Sequence, residues 1–172
     1  MLLLYAATIF LSALLLFMVQ PMAAKGILPL LGGSPAVWNT CMVFFQALLL
    51  AGYAYAHALS RMKSKWGQVV VHCVVIVATA IALPIAVPGG WSPPVEGGQI
   101  LWTLGLLAVM VGGPFFLLST TGPLIQSWFA RTGHRSASDP YFLYGASNAG
   151  SFIGLLGFPL VVEPAIGLKD QG

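Results

Sequence analysis

Polar and apolar positions alternate in this chain over tens of residues rather than over two or four. Residues 1–24, 26–60, 66–95, 97–130 and 140–162 contain no Asp, Glu, Lys or Arg, and each run exceeds the roughly 20 residues that carry a helix across a hydrocarbon core. The pattern predicts helices over about 2–19, 36–59, 67–87, 100–118 and 141–162. Helices are favoured over strands because the runs are long and continuous, and because lipid demands that backbone groups be satisfied within the segment. Punctuation agrees: Gly32, Gly33 and Pro35 precede the second run, Pro88, Gly89, Gly90, Pro93 and Pro94 follow the third, and Pro140 opens the fifth. Pro84, Pro114 and Pro159 fall within the expected spans, where kinks are predicted.

The fourth run would make a single helix of about 50 Å, longer than the core is thick. A break is expected at Ser119, Thr120, Thr121, Gly122 and Pro123, followed by a short interfacial helix carrying Leu124, Ile125, Trp128 and Phe129. The stretch from Gln20 to Leu31, with Pro21 and Pro29 around Lys25, reads the same way after the first span. Two proline-marked breaks in corresponding places are a faint sign of inverted three-helix repeats.

Composition turns these helices into a class. Of 172 residues only 6% are charged, against the roughly 25% of soluble domains, while 58% are hydrophobic and mean hydropathy is +0.91. The expectation is one all-α domain, a polytopic transmembrane helix bundle of about five spans. Arg61, Lys63, Lys65, Arg131 and Arg135 fall on one face and Lys25 and Lys169 on the other, so the first face is expected in the cytoplasm of a bacterial inner membrane. The amino terminus would then be cytoplasmic, and the loop around Trp91 and Glu96 and the carboxyl terminus would be outside. The first span is read as uncleaved, since no Lys or Arg precedes it. A pI near 9.1 follows from this topology and implies no nucleic-acid partner; membrane lipids, with anionic headgroups near the inner basic residues, are the expected surroundings.

Candidate chemistry is sparse. Ala146, Gly150 and Gly154 recur every fourth residue of the fifth span, with Ser147 and Ser151 beside them, a register that lets a helix approach closely. Close packing is the plainer reading, and a moving surface with Asn148 touching a solute the sharper one. Gln46, mid-way along the second span, needs a hydrogen-bond partner, either Asn148 or a hydroxyl. Lys25 and Glu163, both near the outer boundary, are expected to form an ion pair if their helices adjoin, with proton coupling as the alternative role for Glu163. His57 and His72 lie at the cytoplasmic ends of neighbouring spans, where a metal or pigment ligand pair competes with simple proximity. Cys41 and Cys73 sit at different depths and are expected to be free thiols. Tyr53, Tyr55, Trp38, Trp91, Trp102 and Trp128 suit interfacial belts. There is no P-loop, dinucleotide glycine fingerprint, HExxH or GxSxG, so no catalytic residue, cofactor or metal is assigned.

Three stretches carry a resemblance: FLSALLLFMVQPMAAKGILPLLGGSPAVWNTCMVFFQALLLAGYAYAHAL from Phe10, PFFLLSTTGPLIQSWFA from Pro114 and DPYFLYGASNAGSFIGLLGFPLVVEP from Asp139. Together they resemble the membrane half of bacterial spermidine-synthase-like proteins, in which a major-facilitator-like bundle is fused to a polyamine synthase domain. The resemblance implies a membrane module linked to polyamines. The family's soluble half, with its glycine-rich nucleotide loop and its acidic polyamine-binding residues, has no counterpart in these residues, so synthesis by this chain alone is not expected. Fused relatives continue past the position of Gly172, so a short relative, a fragment or the ordered part of a longer product is expected.

Two non-catalytic readings result. One is a membrane module transporting or sensing a small cationic or amphipathic solute; the other is an accessory subunit packing into a larger respiratory or photosynthetic assembly, or into a homo-oligomer. A water-accessible cavity reaching Gln46 or Asn148 would favour the first, and a lipid-exposed small-residue face the second.

Overall fold

The computed structural model describes residues 1–81, 83–94 and 97–167; Glu96 and Lys169, both expected on the outer side, lie outside the described residues. Among the described residues all regular structure is helical: α1 Leu2–Leu31, α2 Pro35–Ser60, α3 Lys65–Ala80, α4 Gln99–Ala130 and α5 Tyr141–Ala165. Four of these helices are long and apolar enough to cross a membrane, and α3, at 16 residues, rises only about 24 Å. The all-α bundle is present, with helix ends that differ from expectation.

The break after residue 19 does not form. α1 runs on through Pro21 and Pro29 as one helix of 30 residues. A proline inside a helix costs about 3 kcal/mol, but Ala23 and Ile27 are fully buried in the same cluster as Val37, Leu106 and Leu107, and that packing holds the helix together. Gly32 ends it at φ 71°, a region glycine enters without a Cβ clash, and its N–H bonds the Leu28 carbonyl at 2.8 Å. Ser34 then caps α2 by accepting from the Val37 N–H at 3.3 Å, with Pro35 in the first turn.

The third helix stops at Ala80, short of the expected 87, so Pro84 lies outside it and kinks nothing. The residue before a proline is biased away from helical geometry, which favours an earlier end. The connection folds Ile85, Val87 and Trp91 back onto the bundle, with the Trp91 and Trp102 rings 6.0 Å apart.

The expected break at Ser119–Pro123, and the separate interfacial helix after it, are also absent: α4 is continuous over 32 residues. Its irregularity lies upstream, in a π turn at Ala108–Gly112 immediately before the segment opened by Pro114. A proline cannot donate to the carbonyl four residues back, and a widened turn redistributes that lost bond. Around Pro123 hydroxyls reinforce the ladder instead: Ser119 donates to the Phe116 carbonyl, Thr120 and Thr121 to Leu117, and Ser12 of α1 to Leu118, all within 3.0 Å. A second π turn, Phe158–Val162, surrounds Pro159 in α5. At about 48 Å, α4 exceeds the core thickness and must tilt or project if it crosses a bilayer.

Contacts between the helices give their directions. Phe10 meets Gly150 and Leu14 meets Gly154, so α1 and α5 are parallel; Gly52 meets Ser119 and Phe45 meets Phe115, so α2 and α4 are parallel. Tyr5 meets Phe129 and Ser12 meets Leu118, so α1 and α4 are antiparallel. Arg61, Lys65 and Arg131 therefore gather at one end of the bundle, and Lys25 with Glu163 at the other. The apolar core lies nearer the second end, around Ile27, Phe45, Leu107, Val111 and Phe115.

Candidate functional site

Between the parallel pairs the bundle is open. A crevice of about 220 Å³ bordered by α1, α2, α4 and α5 is lined by Ser12, Gln20, Ser119, Ser147 and Ser151 among apolar residues. An adjoining space of about 510 Å³, lined by His57, Ser60, Gln126, Ser127 and Tyr144, extends toward the end that bears Arg131. Tyr53, Gly122, Pro123 and Ser147 border both, so the two spaces adjoin and together trace a path from mid-helix toward the bundle end.

The path exists because of small residues on its walls. Gly122 and the serines bring little bulk, and Pro123 has no N–H to contribute. Four of its hydroxyls are committed to carbonyls: Ser12 to Leu118, Ser60 to His57, Ser119 to Phe116 and Ser151 to Ser147, the last at 2.9 Å. Gln20, Tyr53, Gln126 and Ser147 make no side-chain hydrogen bond among the described residues and are left to water or a solute. Among the described residues no Lys, Arg, Asp or Glu lines either space.

Of the residues singled out in the sequence, Ser147 and Ser151 line the path, and Gly150 and Gly154 lie behind it. A Cβ on Gly154 would fall 2.5 Å from the Leu14 carbonyl oxygen, and one on Gly150 would collide with the Phe10 carbonyl. Ala146, half-buried, begins this series. The close approach expected of that stripe is thus spent within the chain, on α1, and leaves no small-residue face of Gly150 and Gly154 for another subunit.

The amides do not behave as expected. Gln46 and Asn148 are both exposed, neither lines the path, and neither bonds the other or a hydroxyl. Their helices turn Phe45 and Gly150 inward, and a residue one or two positions away then points about 100° or 200° aside.

The histidine pair also separates. The His72 ring is 6.1 Å from that of Tyr55, with Nδ1 3.4 Å from the Tyr55 hydroxyl, while His57, two residues further along α2, faces the path on the other side. No group of three or more metal-binding side chains occurs among the described residues. His72 belongs to a buried network that the sequence did not suggest. Gln68, 2% exposed, accepts from the Trp128 indole N–H at 2.9 Å and donates to the Met62 carbonyl at 2.8 Å, while Trp128 meets the His72 ring edge to face. Tyr55 and Trp128 are thus ties between helices, Trp91 and Trp102 pack on each other, and Trp38 and Tyr53 stand exposed as belt residues would. Cys41 is buried, Cys73 exposed, and both are free.

At the opposite end Lys25 and Glu163 form an ion pair, joining α1 to the last turn of α5, with the Lys25 ammonium 5.9 Å from the centre of the Phe158 ring. Gly52 is the packing residue that the sequence reading missed: a Cβ there would lie 2.9 Å from that of Ser119 and closer still to its hydroxyl. Its one signal is that it is the lone glycine of α2, within LLLAGYAY.

No protein-family model, curated protein or solved structure matches the chain.

Proposed function

We propose that this chain is a non-catalytic integral membrane module, of the kind the spermidine-synthase-like resemblance suggests, and that the path between its helix pairs admits a small amphipathic solute. The observation that carries the reading is the set of unpaired polar side chains, Gln20, Tyr53, Gln126 and Ser147, facing one space between apolar helices. Polar groups facing such a space need partners, and a solute with donors and acceptors supplies them. The lining also narrows the solute. Hydroxyls, amides and the Tyr53 and Tyr144 rings suit an amine carrying a single charge, whereas a polyamine would enter with several charges and meet no carboxylate. The reading is non-catalytic because the His57 ring bonds neither the Ser60 nor the Ser127 hydroxyl that shares its space, and the Ser60 hydroxyl is given to the His57 carbonyl, so no base–nucleophile pair is formed there.

The setting we infer is the bacterial inner membrane, with the end bearing Arg61, Lys65 and Arg131 in the cytoplasm. The exposed amides of Gln46 and Asn148 favour a second role alongside this one, assembly with another membrane subunit or a second copy, because an amide facing lipid gains a bond only from a neighbour.

Binding of a monoamine and of spermidine to the purified chain tests the solute reading. Saturable monoamine binding, tighter than that of spermidine and abolished by Ser147→Leu, is expected. Absence of binding, or binding indifferent to Ser147→Leu, contradicts it.

A further inference from the structure

A separate cavity of about 240 Å³ lies at the basic end, where α3 and α4 meet the start of α1. Two cations, Lys65 and Arg131, border it, together with Thr132, Tyr5, Val69 and the Gln68–Trp128 pair. Among the described residues the ion pair formed is Lys25 with Glu163, at the far end, so neither Lys65 nor Arg131 has a carboxylate partner. The Arg131 guanidinium donates through one terminal nitrogen to the Ser60 carbonyl, which fixes its position and leaves its other N–H groups open.

The backbone adds to the same field. α3 begins at Lys65; the Ser64 hydroxyl and carbonyl take the N–H groups of Gly67 and Gln68, so those of Lys65 and Trp66 remain unbonded at the positive end of a 16-residue helix. Two uncompensated cations around a space of this size suit a phosphate-type anion, and a planar guanidinium binds two of its oxygens at once.

We propose that this cavity holds the phosphate headgroup of an anionic phospholipid. A lipid is favoured over soluble phosphate by what surrounds the charges. Trp66, 81% exposed, stands beside them at the head of α3, and Val69, Val70 and Val74 continue down that helix as exposed apolar surface along which an acyl chain would lie. The inference rests on the membrane reading above, but it is a different site from the solute path.

The test is native mass spectrometry of the full chain in detergent, titrated with phosphatidylglycerol, phosphatidylcholine or inorganic phosphate. Phosphatidylglycerol should bind with defined stoichiometry and at least tenfold more tightly than phosphatidylcholine. Lys65→Gln and Arg131→Gln should each weaken it about fivefold, whereas Lys63→Gln, at an exposed lysine outside the cavity, should not. Because Arg131 also holds α2, Lys65→Gln is the decisive variant. Equal affinity for the two lipids, no bound lipid, or an equal loss with Lys63→Gln overturns the site. Inorganic phosphate binding as tightly as phosphatidylglycerol overturns the lipid as its source. Because this readout needs no orientation in a bilayer, its failure is distinguishable from failure of the membrane topology.

Discussion

The two parallel helix pairs solve one packing problem differently. In α1 with α5, two glycines a turn apart lay one backbone on another, and the seam is closed where Gly150 meets Phe10 and Gly154 meets Leu14. In α2 with α4 a single glycine, Gly52, sits on a serine, and aromatic rings fill the rest: Phe45 lies 4.8 Å from Phe115, and Tyr55 5.5 Å from Phe116. A backbone seam tolerates nothing added to it. A seam of side chains leaves room beside it, and the polar path runs along that room, past Tyr53, Ser119 and Gly122. The difference in closeness is a difference in how each pair holds: backbone on backbone in one, side chain on side chain in the other.

Breaking the first seam should have the largest effect. Gly150→Leu drives a side chain into the Phe10 carbonyl, which has no flexible end to move, and should cost about 3 kcal/mol or more, lowering the melting midpoint in detergent by about 6–12 °C. Gly52→Val should cost less, about 2 kcal/mol, because its obstacle is the Ser119 side chain; adding Ser119→Gly should restore part of the loss in a double-mutant cycle. If Gly52→Val proved worse than Gly150→Leu, the ranking of the two seams would be reversed. Gln68→Leu removes the acceptor of the Trp128 indole and should cost about 1–2 kcal/mol, read as lower thermal stability with unchanged helix content. Glu163→Gln should have the smallest effect, below about 1 kcal/mol, since both partners of the ion pair are about a third or more exposed; insertion should be unaffected.

The parts of this molecule legible in its sequence are those decided along one helix. Charge-free runs mark the five helices, Gly32, Gly33 and Pro35 mark the boundary before the second, and the spacing of Gly150 and Gly154 marks a close seam. The Lys25–Glu163 pair is legible because two charges at the same expected depth, in a chain with so few, have few other partners. Illegible parts depend on rotation about the helix axis, which neighbours decide. Gln46 and Asn148 look like interior polar residues until α2 and α5 turn Phe45 and Gly150 inward, and His57 looks like a partner for His72 until Tyr55 takes that place. Prolines mislead in the same manner: Pro21 and Pro123 weaken a helix locally, and burial of Ala23, Ile27 and Leu124 outweighs them. Ser147 and Ser151 could be placed near a polar path, but its width and its lack of charge required all four walls.

The helices alternate in direction, and we propose that the end bearing Arg61, Lys65 and Arg131 lies in the cytoplasm. Thiol labelling tests this most directly. In a chain carrying Cys41→Ala and Cys73→Ala, single cysteines at Lys63→Cys, between α2 and α3, and at Ser92→Cys, between α3 and α4, are exposed in intact cells to a membrane-impermeant maleimide. The cysteine at position 92 should label in intact cells and the one at position 63 only after the membrane is opened. Labelling of position 63 in intact cells, or of both positions from one side, would contradict the topology.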